Sequence, residues 1–158
     1  MSGAGSPELE TDGTGLAITI VAGRWHETIA TGLLEGARRV LHASGATVSE
    51  LRVPGSFELP LACKAALEGG ADAVVALGVI IRGGTPHFEY VSTAATMGLT
   101  TVAIETGKPV GFGVLTLDDE QQGLDRAGLP GSKEDKGAEA ASAALAMATA
   151  LRALRSAP

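Results

Sequence analysis

The chain reads as a three-layer α/β/α sandwich around a four-stranded parallel sheet. Three observations predict this class. Short β-branched apolar runs alternate with stretches of helical periodicity from Leu16 onward, in the order βαβαβαβαα. The run Ala73 to Ile81 is apolar on both faces, as in a central strand covered by helices on either side. Glycine or proline closes most of the segments, so each element has a physical stop.

Residues 1–15, MSGAGSPELETDGTG, are small, polar and glycine-rich, and predict a flexible N-terminal tail. Residues 16–158 then form a single domain. Leu16 to Ala22 is the first strand. Ile29, Leu33, Ala37, Val40 and Leu41 recur at helical spacing, and Gly45 ends that helix. Val48 to Val53 is the second strand, closed by Pro54-Gly55. Pro60 is tolerated only in a first turn, so the next helix starts near 57–59 and runs to Gly69-Gly70. Ala73 to Ile81 is the third strand. Thr85 is placed to cap a helix with Pro86 at its first position. Thr100 to Ile104 is β-branched enough for a strand, but Val91, Ala95, Gly98 and Val102 keep helical spacing, predicting one helix over about 86–106.

Val110 to Leu117 is the last strand. Asp118 with Gln121, and Ser132 with Asp135, read as capping boxes for a short helix and a final long one. In the final helix Met147, Leu151 and Leu154 share a face. Acidic residues at its start and arginines at its end match the macrodipole.

Composition narrows the function. The chain has 158 residues, enough to bury roughly 70% of its unfolded surface without staples. Net charge is −6 and there is no run of lysine or arginine, which argues against nucleic acid as a partner. The single cysteine, Cys63, excludes an internal disulfide and fits a reducing compartment. No segment reaches the length of a membrane span, and no leader pattern opens the chain, so a cytoplasmic protein is expected. The absence of HxxxH and CxxC spacing gives a metal no support, and the absence of GxGxxG after the first strand argues against a dinucleotide. No cofactor is expected.

In parallel sheets ligands bind at the carboxyl ends of the strands. Those ends carry Arg24-Trp25-His26, Pro54-Gly55-Ser56-Phe57-Glu58, Arg82-Gly83-Gly84-Thr85-Pro86-His87 and Thr116. The only tryptophan and two of the three histidines thus fall on one rim. Glycines before a helix N-terminus let backbone N–H groups approach a phosphate, although a plain βα turn has the same look. His87 sits where the helix dipole favours neutral imidazole, as a base or as a structural loop residue. Trp25 is placed to stack on a flat heterocycle or to cover the sheet edge. Ser56 and Glu58 are placed to bind polar ring edges or to cap the helix that follows.

Taken in order, these motifs resemble the lumazine synthase family over nearly the whole chain from Leu16. The matching segments are Arg24-Trp25, Pro54 to Glu58, Gly78 to His87, Phe112-Gly113-Val114-Leu115-Thr116, Asp125-Arg126-Ala127-Gly128 and Lys136-Gly137. The resemblance implies a flavodoxin-like fold and a transferase of riboflavin biosynthesis. That enzyme condenses 5-amino-6-(D-ribitylamino)uracil with 3,4-dihydroxy-2-butanone 4-phosphate. It further implies that Trp25 stacks on the pyrimidine, that Ser56, Phe57 and Glu58 hold the ribityl chain, and that Val79, Ile80 and Ile81 line the ring pocket. Gly84, Thr85 and Arg126 would bind phosphate and His87 would move protons. Phe112, Arg126 and Lys136 would come from the neighbouring subunit of a homopentamer. Riboflavin synthase is a candidate partner.

Two departures stand out. Gly84 replaces a side chain that is more often polar or acidic in the family. The Arg126 to Lys136 stretch is longer than in shell-forming members, which favours a free pentamer. The alternatives are an inactive flavin- or lumazine-binding protein, another phosphosugar enzyme on the same fold, and a structural shell protein.

Overall fold

The computed structural model describes residues 7, 9 and 12–158. The expected flexible tail falls mostly outside those residues. Within it, Gly13 donates its N–H to the Ser44 carbonyl at 2.9 Å, and Asp12 accepts from the Thr14 N–H at 2.9 Å.

Four strands form one parallel sheet: β1 (Ala17–Gly23), β2 (Thr47–Val53), β3 (Ala73–Ile81) and β4 (Val110–Leu117), in the order β2-β1-β3-β4. The helices are α1 (Glu27–Ala43), α2 (Leu59–Glu68), α3 (His87–Thr106), α4 (Glu120–Leu124) and α5 (Lys136–Arg155). A 3-10 turn, Ser56–Glu58, precedes α2.

The period-2 alternation of β3 builds both cores. Val75, Leu77 and Val79 point into one cluster with Leu33 and Ile29 of α1 and Leu145 of α5. Val74, Ala76 and Ile80 point into the other with Leu59 and Cys63 of α2 and Leu99 and Val102 of α3. This is why that strand is apolar on both faces. Each fully buried leucine or isoleucine contributes about 1.5–3 kcal/mol by leaving water. Helices α1 and α5 meet at Gly137, where a Cβ would lie 1.9 Å from the Leu33 carbonyl oxygen, so only glycine allows that approach. Cys63 is fully buried, and burial pushes its thiol up to about 12.

The caps correct the sequence reading in three places. Thr85 makes no capping bond, and Pro86 occupies the N-cap of α3. Asp119, rather than Asp118, caps α4 by accepting from the Gln122 N–H at 2.9 Å, and the Gln122 side chain reaches back to the Asp118 N–H. Asp135, not Ser132, caps α5 through the Ala138 N–H at 2.9 Å. The Ser132 hydroxyl instead closes the preceding loop, accepting from the Leu129 N–H and donating to the Leu124 carbonyl. Adjacent acceptors compete for one helix end, and local loop geometry decides between them.

At the amino ends of the strands the polar side chains satisfy backbone. Lys108 donates to the Leu67 and Ala71 carbonyls at 2.8 Å each, and Asp72 accepts from the Ala17 N–H at 2.8 Å. Among the described residues no helix is long and apolar enough to cross a membrane.

Candidate active site

The carboxyl ends of β1, β2 and β3 open into a cleft of about 620 Å³. Its wall contains Trp25, Ser56, Phe57, Glu58, Val79, Ile80, Ile81, Thr85 and His87, nine of the thirteen residues expected at the site.

Local structure explains each placement. The loops after β1 and β2 are tied by the Arg24 N–H donating to the Pro54 carbonyl at 3.2 Å. Trp25 stands on this joint, 69% exposed, with its indole edge against Gly55. An indole left in solvent presents apolar surface that a flat ring can cover. Glu58 spends one carboxylate oxygen on the Gly55 N–H at 2.8 Å, which holds the 3-10 turn. Glu58 thus caps the 3-10 turn, while its side chain makes no capping bond to α2.

Ser56 caps neither the turn nor the helix. The Ser56 side chain is 6% exposed, and its Oγ has no hydrogen-bond partner although it lies in the cleft wall. A buried hydroxyl without a partner costs about 1–3 kcal/mol, so an oxygen or nitrogen of a ligand is the natural complement. Gly78 makes room for it: a Cβ there would sit 2.4 Å from Ser56 Oγ. Val79 and Ile80, both buried, form the floor.

The third side is the turn from β3 to α3. A Cβ at Gly83 or Gly84 would meet nothing within 4 Å, so packing within the chain does not demand glycine at either position. The open backbone lies in front of the N-terminus of α3, a 20-residue helix, where free N–H groups and the dipole favour an anion. Gly83 and Thr85 line the cleft, whereas Gly84 does not. His87 is the first residue of α3.

Six lining residues were not among the expected site residues: His26, Gly55, Gly83, Phe88, Tyr90 and Val91. Tyr90 and Val91 follow His87 by three and four positions, so helical spacing would have placed them on its face. His26 is the only non-glycine with positive φ among the described residues (φ 56°), and it caps α1 through its carbonyl, which accepts from the Ala30 N–H at 2.9 Å. Left-handed non-glycine residues concentrate at functional sites.

Phe112, Arg126 and Lys136 do not line this cleft. Phe112 is exposed on the edge strand β4. Arg126 follows α4; it donates to the Gln122 carbonyl at 2.8 Å, and its Nε lies 3.9 Å from Glu134. Lys136 opens α5 between Glu134 at 3.0 Å and Glu139 at 2.8 Å. Burial opposes its charge, but the two carboxylates outweigh that and hold its pKa above the usual lysine value. Among the described residues no lysine or arginine lines the cleft itself. Among the described residues no three His, Cys, Asp or Glu side chains are grouped to hold a metal ion.

The 6,7-dimethyl-8-ribityllumazine synthase family profile matches residues 15–152. A 6,7-dimethyl-8-ribityllumazine synthase of Leifsonia xyli subsp. xyli is 77% identical over 157 residues, covering 98% of this chain and 99% of its own. The protein of the same name from Clavibacter sepedonicus is 71% identical, covering 99% of this chain and all of its own. That of Streptomyces coelicolor is 56% identical, with 96% of each chain covered.

Proposed function

The chain belongs to the 6,7-dimethyl-8-ribityllumazine synthase family, and we propose that the cleft at the carboxyl end of its sheet is where it carries out that reaction. The enzyme is a transferase of riboflavin biosynthesis. It joins 5-amino-6-(D-ribitylamino)uracil to 3,4-dihydroxy-2-butanone 4-phosphate, releasing the lumazine, inorganic phosphate and water.

The observation that carries the site assignment is the wall itself: an exposed indole, an unpartnered buried hydroxyl and a histidine at a helix N-terminus around one cavity. Trp25 stacks on the pyrimidine. Ser56 Oγ, Phe57 and the remaining oxygen of Glu58 receive the ribityl side. Val79, Ile80 and Ile81 give the ring an apolar floor. The substrate amine attacks the ketone and water leaves to form the imine. Phosphate then departs, and the ribitylamino nitrogen closes the ring with loss of a second water. No activated protein nucleophile is required, because the amine is one. His87 carries protons between these steps. Holding the two substrates together supplies up to about 7–11 kcal/mol of the barrier reduction.

The phosphate needs cations that the cleft lacks. Gly84, Thr85 and the α3 N-terminus supply backbone donors and a hydroxyl. Arg126 and Lys136, with Phe112, come from a neighbouring copy in a homopentamer. An Arg–phosphate contact contributes about 1.5–3 kcal/mol. Exposed Tyr90, Met97 and Ile104, spaced by seven along α3, form an apolar stripe suited to burial between copies. The cytoplasm is the proposed location, with riboflavin synthase as the enzyme that takes up the product.

Mixing the purified protein with both substrates tests the function. Lumazine absorbance and fluorescence should appear with one phosphate released per turnover. Binding without turnover would instead indicate an inactive lumazine-binding protein.

A further inference from the structure

The segment that carries His87 is held less by itself than by one side chain. Between Arg82 and Pro86 run two glycines with open space around their Cβ positions and a threonine that caps nothing. Backbone bonds flank the segment: the Arg82 N–H donates to the Leu117 carbonyl at 2.8 Å, and the Glu89 N–H to the Pro86 carbonyl at 3.2 Å.

The Arg82 guanidinium spans this gap. Its Nε donates to Asp118, just past β4, at 2.8 Å, and a terminal nitrogen donates to Glu89, in the first turn of α3, at 2.6 Å. Its Cζ lies 4.1 Å from the centroid of the Phe88 ring. Asp118 is itself anchored, since its N–H donates to the Gln122 side chain at 2.9 Å. One residue thus grips the sheet edge, the α3 N-terminus and the ring next to His87. Arg82 does not line the cleft, but Phe88 does.

We propose that Arg82 is a positioning residue for the reaction, a latch that fixes the Gly83–Pro86 turn and so sets where His87 and the turn's backbone donors face the cleft. The inference rests on the site assignment above. The latch is exposed, with side chains 45%, 55% and 66% accessible for Arg82, Glu89 and Asp118. Exposed ion pairs contribute little to global stability. Their effect here is local, on a turn with few bonds of its own. Arginine suits the task because its planar fork serves two carboxylates while it stacks on a ring, and lysine lacks that geometry.

The test uses the full-length protein with Arg82→Met, which keeps the stem against Phe88 but loses both ion pairs, and with Arg82→Lys. Turnover at saturating substrate should fall about ten- to a hundredfold in the methionine variant, as a misplaced catalytic group predicts, with KM for the pyrimidine changed less than about twofold. Amide exchange over 84–88 should quicken relative to β3 while the melting temperature stays close to wild type. Arg82→Lys should recover part of the turnover. Unchanged exchange over 84–88, unchanged turnover, or a loss of turnover matched by loss of folded protein would each overturn the latch. If the wild-type protein makes no lumazine, the functional reading fails, and the exchange difference alone then upholds or overturns the latch.

Discussion

The cleft wall and the loop from Asp125 to Lys136 treat polar groups in opposite ways. In the wall Ser56 Oγ has no partner, the indole of Trp25 is exposed, and the glycine turn faces open space. In the loop the charges are organised. Asp125 accepts from Lys133 at 2.6 Å and from Gln121 at 3.0 Å, while its carbonyl receives the Lys133 and Glu134 N–H groups. Ala127 bridges to Asp135, and Lys136 sits between two carboxylates. On the proposed function the first region receives a flat, hydroxyl-bearing ligand, and no described lysine or arginine lines it. The other holds cations in a fixed frame with no cavity of its own among those described. A phosphorylated substrate needs both, which is the ground for the proposal that a second copy completes the site.

Substitutions can break each half separately. The largest effect is expected from His87→Ala, with turnover down about 100- to 10,000-fold and little change in substrate binding, as steady-state kinetics would show. Arg126→Ala should act on the other half. Losing about 1.5–3 kcal/mol of charge-assisted hydrogen bonding raises KM for the phosphorylated substrate about 10- to 150-fold and leaves that for the pyrimidine near wild type.

Two alanine substitutions contrast the packed back of the cleft with its open front. Gly78→Ala drives a methyl onto Ser56 Oγ and should cost about 1–3 kcal/mol in denaturant unfolding. Gly84→Ala meets nothing within 4 Å and should change stability by less than about 0.5 kcal/mol.

The smallest effect concerns pH. Hydrogen bonds from Lys133 and then Gln121 hold the Asp125 carboxyl below its ordinary value of 3.8. Its contribution is therefore present above that value and lost as pH falls through the lower, folded one. The urea midpoint should drop on acidification, and Asp125→Asn should flatten part of that drop.

Much of this was legible in the chain. The buried strand Ala73–Ile81 and the single helix through residue 104 follow from periodicity, since packing on both sheet faces leaves no other pattern. The rim residues follow from the rule that strand ends carry the ligand. The caps did not follow, because Asp118 and Asp119, like Ser132 and Asp135, are equally able acceptors until the loop is built. The unpartnered state of Ser56 and the strain at His26 are tertiary facts with no local signature. The Arg82 latch joins residues 36 positions apart, beyond what spacing reveals.

The claim of a divided site has a direct test. His87→Ala and Arg126→Ala proteins, each impaired alone, are mixed, co-refolded and assayed at subsaturating phosphorylated substrate. If the cleft of one copy works with the loop of the next, roughly a quarter of the sites in a randomly assembled ring regain both halves, and activity rises well above either parent. Activity that stays at the level of the two parents would contradict the account and place both functions within one chain.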